Sequence, residues 1–136
     1  MTTWQIDPAH TSVEFGVKHL MISTVRGSFK DVSGSVTVGD RPSVEVSIPV
    51  ATIDTGVGQR DDHLRSADFF DVERYPEMVF RATRVEGSGR DFRVTGDLTI
   101  RDITRPVTSV VEVGGIVPGM SGARHLGLTA RARIGS

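Results

Sequence analysis

Apolar and polar residues alternate at every second position through most of this chain, and that periodicity limits its possible folds more than any other feature. Such alternation is typical of strands with one face buried and the other in water. Clear runs occupy residues 13–19, 44–50, 78–83, 92–101 and 126–134. Turn signals rich in glycine and proline separate the runs at short spacing. The pattern therefore predicts about seven or eight antiparallel strands in a barrel or sandwich.

The stretch from residue 25 to residue 38 changes its buried face partway along. Val25 and Phe29 fall on odd positions, whereas Val32 and Val36 fall on even ones. A strand that exchanges its faces in this way usually carries a bulge or a sharp bend. We therefore expect a corner of a curled sheet here, and Gly34 suits such a bend.

Strand alternation stops between residues 55 and 76, where the sequence reads TGVGQRDDHLRSADFFDVERYP. Asp61 and Arg65 are four residues apart with the acid first, which favours a helix. Asp54 and Thr55 are candidates for its N-cap. The segment predicts a short helix in a long crossover that lies across one end of the sheet, and such long connections are often functional.

Composition and charge exclude several classes of function. The 136 residues are the size of one domain, so we predict a single domain over residues 1–136. The 16 basic and 17 acidic residues give a net charge of −1, which argues against a nucleic-acid surface and a polybasic membrane anchor. The absence of cysteine excludes disulfides and thiolate chemistry. No apolar run approaches the roughly 20 residues of a membrane span, so we expect no stable membrane insertion.

Four segments, taken in order along the chain, resemble one known family. They are WQIDPAHTSVEFGVKHL at 4–20, VRGSF at 25–29, TIDTGVGQRDDHLRSADFFDVERYPEMVF at 52–80 and VTGDLTIRDITRPV at 94–107. On these motifs, of which the crossover is the most specific, the chain is similar to the YceI-like family of polyisoprenoid-binding proteins. The resemblance implies an all-β, extended, lipocalin-like antiparallel barrel. It also implies that the lumen holds a long isoprenoid chain and that no catalysis is needed.

The resemblance carries two further expectations about the ends of the chain. The family generally continues with another hairpin past residues 130–134, whereas this sequence stops at Ser136. We therefore expect residues 126–134 to form an unpaired sheet edge, and we predict that two copies pair there as a homodimer. The N-terminus lacks a basic region and an apolar stretch, so the sequence as given predicts a cytoplasmic protein.

The inward positions of the predicted strands are the candidates for the lumen lining. An apolar tunnel with few polar groups is what a lipid requires. Alternation alone is equally compatible with a packed core, because the side chains of a small barrel either fill its interior or leave room for one ligand. The resemblance to the family favours an open lumen. The predicted lining residues are Val13, Phe15, Val17, His19, Val46, Ile48, Phe70, Met78, Phe80, Leu98, Ile100 and Leu128.

The crossover carries the densest polar cluster, formed by Arg60, Asp61, Asp62, His63 and Arg65. An ion-pair network that pins the crossover onto the barrel is the interpretation we favour. The candidates for contact with a lipid head group are Arg60, Asp61 and His63 in this cluster and His19 on the lumen face. Phe69 and Phe70 are predicted to anchor the crossover in the core.

We predict a non-enzymatic protein that carries or stores a quinone or polyprenyl lipid, with no catalytic residue, no metal and no cofactor besides that lipid. Two alternatives stay open. A histidine beside two carboxylates suits a metal-assisted hydrolase built on Asp61, Asp62 and His63, although adjacent residues diverge on a helix. A structural or interaction module with a filled core is the other, and it predicts that no cavity exists.

Overall fold

The computed structural model describes residues 2–8, 11–19, 23–38, 41–118 and 124–135. Nine strands, one α-helix and one 3-10 turn occupy this part of the chain. The strands are β1 (Thr2–Ile6), β2 (Ser12–His19), β3 (Ser23–Phe29), β4 (Ser33–Val38), β5 (Ser43–Pro49), β6 (Glu77–Ser88), β7 (Asp91–Ile100), β8 (Ile103–Pro118) and β9 (Arg124–Gly135). The 3-10 turn (Val50–Thr52) and helix α1 (Gly58–Arg65) lie between β5 and β6.

All nine strands belong to one sheet, in the order β1-β4-β5-β6-β7-β8-β9-β2-β3. Neighbours run antiparallel except where β9 pairs in parallel with β1 and with β2. The sheet curls until its first strand returns to β9, where Gln5 and Ile6 align with His125 and Leu126. The predicted all-β, lipocalin-like barrel class is confirmed. In the described part of the chain the sheet has nine strands, two more than the lower predicted number of seven. Thr2–Ile6 forms an additional strand, and residues 25–38 are divided between β3 and β4.

The expectation of an unpaired edge at residues 126–134 is wrong. One edge of β9 pairs with β8, from Ser109↔Ala132 to Pro118↔Arg124. The other edge pairs with β1 and then with β2, from Ser12↔Thr129 to Lys18↔Gly135. The hydrogen-bonding groups of β9 are thus used within the chain.

The predicted bend is present between β3 and β4. Asp31 takes a left-handed backbone conformation, with φ of 59°, and Gly34 has φ of 147°. A Cβ atom at Gly34 would collide with the carbonyl of Glu45 on β5, so the close approach of the two strands requires glycine there. The bend turns both Phe29 and Val32 inward, where they are 4% and 1% exposed.

The crossover contains the predicted short helix and packs against the core of the curled sheet. Its apolar side chains Leu64, Phe70 and Val72 pack against the main core cluster. That cluster consists of Phe29, Val32, Ile48, Val50, Ile53, Met78 and Leu98. Phe69 does not join it and is 47% exposed, so the prediction that both phenylalanines are core anchors holds only for Phe70. No helix in the described ranges has the length and hydropathy to cross a membrane.

Gly96 on β7 allows a test of how closely β7 and β6 approach each other. It lies opposite Ala82, where the register of β6 shifts, and an added Cβ would collide with the Arg81 carbonyl and the Ala82 backbone. Gly96→Ala should therefore lower the free energy of unfolding by about 1–3 kcal/mol in urea titrations. Gly58→Ala is the control, because a Cβ added at this position on α1 would meet no atom within 4 Å. It should raise stability by up to about 1 kcal/mol, and equal losses in both variants would contradict this packing.

Candidate functional site

The curled sheet encloses an apolar cavity of about 320 Å³, called the lumen below. Because strand side chains alternate between faces, every strand sends residues into it. Among the described residues the lining is almost entirely valine, isoleucine, leucine, phenylalanine, methionine, alanine and Trp4, with Ser109 as a polar member. The observation of a lumen contradicts the alternative of a filled core.

Eight of the twelve predicted lining residues border the lumen. They are Val13, Phe15, Val46, Ile48, Met78, Phe80, Leu98 and Leu128. Val17 and His19 lie on β2 with the same parity as Val13, but their side chains fall outside the described residues. That any of these residues contacts a ligand stays a prediction.

Phe70 and Ile100, which were also predicted to line the lumen, are not among the residues that border it in the structure. Both pack against the core cluster instead. The ring of Phe70 meets that of Phe29 edge-on, with centroids 6.4 Å apart, and Phe29 itself borders the lumen. Phe70 therefore packs behind Phe29, which is itself part of the lining.

The lining also contains residues that sequence reasoning missed. On β8, Val107, Ser109, Val111 and Val113 face the lumen, but Val110 between them disguises the alternation. A stricter count of odd positions along this strand would have found them. The other missed members are Trp4, Ile6, Glu14, Phe29, Val32, Val36, Val44, Val85, Gly89, Phe92, Val94, Ala130 and Ala132.

Three aromatic rings, each in contact with the next, connect the lumen lining to the crossover. Phe15 and Phe29 lie with centroids 5.2 Å apart, and Phe29 meets Phe70. Gly27 makes this arrangement possible, because a Cβ there would lie 2.6 Å from the Phe15 ring. The missing side chain of Gly27 lets the Phe15 ring lie across β3.

The predicted polar cluster forms a network within the crossover, and its described members do not line the lumen. Buried Asp61 accepts hydrogen bonds from the backbone N–H and the hydroxyl of Thr55. Arg60 donates from Nε to the Thr55 hydroxyl at 2.9 Å and from a terminal nitrogen to its carbonyl at 3.0 Å. The ring of His63 packs edge-on against Phe69 at 4.7 Å. Head-group contact by Arg60, Asp61 or His63 has no support from this placement.

Arg65 fastens the helix to the turn before it. Its guanidinium donates to the carbonyls of Ala51 at 2.8 Å and Ile53 at 3.0 Å, and pairs with Asp62 at 3.0 Å. The expected ion pair between Asp61 and Arg65 is thus replaced by one between Asp62 and Arg65, because the Asp61 carboxylate is hydrogen-bonded to Thr55. The expected side-chain N-cap is also absent, since Val57 holds the N-cap position. Within the described ranges, no three histidine or acidic side chains come together as a metal site.

The pKa of Asp61 lies below its ordinary value of 3.8. The hydrogen bond from the Thr55 hydroxyl has the largest effect and lowers this pKa, because it stabilises the carboxylate. Burial opposes it, while the Thr55 N–H and the charges of Arg65 and Arg60 lower the pKa further. Asp61 is therefore a structural carboxylate that holds the start of the helix to residue 55.

The fold and the lumen define a small lipocalin-like barrel with an apolar interior. The model of the YceI-like domain family matches residues 4–135, and the chain belongs to that family.

Relatives and solved structures agree with this assignment. A UPF0312 protein of Photorhabdus laumondii is 38% identical over 129 residues, spanning 92% of this chain and 67% of that protein. Protein YceI of Escherichia coli is 36% identical, spanning 92% and 68%. Among solved structures, the YceI protein of Campylobacter jejuni has a TM-score of 0.57 at 34% identity, covering 91% of this chain and 75% of that one. BcnA of Burkholderia cenocepacia has a TM-score of 0.64 at 29% identity, covering 83% and 74%.

The role assigned to Asp61 predicts how stability responds to acid. The unfolded pKa of an aspartate is about 3.9 and the folded pKa lies lower, so the contribution of the carboxylate is fully present above about pH 5, begins to fall near pH 4 and is lost as the pH drops through the folded pKa. Asp61→Asn should therefore lower the free energy of unfolding at pH 7, and the gap to the parent protein should shrink toward pH 3. Denaturant titrations at several pH values measure both effects.

Asp62→Asn is the matched control for that experiment. The Asp62 side chain is 81% exposed and its ion pair with Arg65 is on the surface. Such pairs contribute about 0–1 kcal/mol, so this change should have little effect at any pH. A gap between Asp61→Asn and the parent that stays constant from pH 7 to pH 3 would contradict the assigned role.

Proposed function

We propose that this protein binds an isoprenoid lipid of the quinone or polyprenyl type in its lumen, and that it carries or stores this lipid without catalysis. The observation that supports the proposal most directly is the unfilled apolar lumen. Protein interiors are normally packed to the density of organic crystals, and an empty apolar space forgoes packing energy. An apolar ligand that fills the space restores those contacts.

The chemistry of the lining suits an unbranched or methyl-branched hydrocarbon. Each five-carbon isoprene unit that leaves water gains roughly 3–4 kcal/mol before the costs of binding. The lumen of about 320 Å³ is more than twice an apolar cavity of about 150 Å³ that binds benzene, so it has room for a hydrocarbon segment.

The side chains of the crossover support binding rather than hydrolysis. Asp61 is engaged by Thr55, Asp62 by Arg65, and the His63 ring by Phe69. A general base needs to reach a substrate proton within hydrogen-bond distance, and none of these three groups borders the lumen.

A neighbour of lower identity shows the same fold. A polyisoprenoid binding domain of Saccharophagus degradans has a TM-score of 0.56 at 13% identity, covering 86% of this chain and 76% of that one. At this identity the likeness concerns the fold alone, so the lining of the present lumen carries the argument for the ligand.

A homodimer and a cytoplasmic transport role belong to the same proposal. The edge that first suggested a dimer is paired within the chain. Of the described strands, β3 keeps an outer edge that bonds only to Asp54, through Ser28. Pairing between two copies would use this edge.

Filling the lumen from within tests the proposal. Ala132→Trp places an indole in the lumen, so binding of farnesol measured by titration calorimetry should fall at least tenfold while the fold is retained. Val110→Trp is the control, because Val110 points outward and is 55% exposed; it should bind farnesol as the parent does. Equal binding by both variants would contradict a luminal site, and failure of the parent to bind farnesol or a short-chain ubiquinone would contradict the proposed function.

A further inference from the structure

Ser109 is the polar exception in the lining of the lumen. The neighbouring inward positions of β8 are all valine, at 107, 111 and 113. Glu14 also borders the lumen, but its carboxylate pairs with Arg131 at 2.8 Å and its side chain is 47% exposed. Ser109 is 8% exposed, so its hydroxyl is the buried polar side-chain group within the described lining.

The hydrogen bonding of this hydroxyl is incomplete. It donates to the backbone carbonyl of Arg131 at 3.2 Å, which is longer than a usual O–H···O bond. A serine oxygen also carries two acceptor lone pairs, and in the described part of the chain no donor bonds to it. The bond to Arg131 satisfies the donor of this buried hydroxyl, whereas its acceptor lone pairs stay available to a ligand.

Apolar side chains flank this oxygen. In the register of the sheet, Ser109 lies between Ala132 on β9 and Val94 on β7. The small side chain of Ala132 separates Ser109 from Phe15, the next residue in the same row. The row therefore places apolar neighbours on both sides of the hydroxyl, and the one toward Phe15 is the small side chain of Ala132.

We propose that Ser109 is a specificity-determining residue of the lumen that accepts a hydrogen bond from the hydroxyl group of an isoprenoid alcohol. This inference rests on the proposed function and narrows its ligand class. A ligand that offers only acceptors, such as an ether or a quinone carbonyl, would have to take the proton now donated to Arg131. An alcohol leaves that bond in place and fills the vacant acceptor, so the lumen selects alcohols over matched ligands without a donor.

The test compares geraniol with geranyl methyl ether, which keeps the oxygen and the chain but lacks the donor. Quenching of Trp4 reports binding, because Trp4 is the sole tryptophan of the sequence and borders the lumen. The parent protein should prefer geraniol by about 3- to 10-fold, the range expected for one net hydrogen bond. Ser109→Ala should bring the ratio close to one, and Ser109→Thr, which keeps a hydroxyl, should retain the preference.

Thr108→Ala is the matched control, since it removes a neighbouring hydroxyl that is exposed on the outer face. It should keep the parent ratio. Equal binding of both probes by the parent, or an unchanged preference in Ser109→Ala, would overturn the role of Ser109 while leaving lipid binding intact. Absence of binding of either probe to the parent would overturn this inference together with the proposed function.

Discussion

The pairing of β9 along both of its edges is the interaction on which the rest of the molecule depends. β8 bonds to one edge, while β1 and β2 bond in succession to the other. An antiparallel sheet without this return would be open, and its inward valines and phenylalanines would face water. With it, the same side chains enclose a lumen. This closure uses two parallel pairings of β9, one with β1 and one with β2. β1 ends at Ile6 and β2 begins at Ser12, and the two strands follow each other along the same edge of β9.

The crossover determines what kind of enclosure results. Its polar network lies among crossover residues, through Thr55, Asp61 and Arg65, so its carboxylates and guanidinium groups are engaged away from the lumen. Its apolar side chains Leu64, Phe70 and Val72 thicken the wall at one end. The result is a lumen whose described lining offers apolar space and one buried hydroxyl. Binding through apolar contact requires no more than this.

Much of this could be predicted from the sequence, for reasons that also explain the failures. Alternation assigns a residue to a face, and Val13, Phe80 and Leu128 border the lumen as their parity indicates. It does not say whether another layer stands between that face and the lumen, and Phe70 and Ile100 pack against the core cluster without bordering the lumen. Alternation also does not show which strands pair with each other, so the pairing of the second edge of β9 was not predicted. Spacing suggested that Asp61 pairs with Arg65, whereas the fold brings Thr55 to Asp61 first. Whether a barrel of these side chains is filled or encloses a cavity depends on side-chain volumes and their packing. The alternation of apolar and polar residues does not specify either.

Native mass spectrometry of gently purified protein, followed by organic extraction and lipid analysis, tests the central claim most directly. The account predicts a stoichiometric apolar adduct with the mass of an isoprenoid, released by the organic solvent. A protein that carries no adduct, and that still carries none after incubation with prenyl alcohols and quinones, would contradict the claim that the lumen is a lipid site.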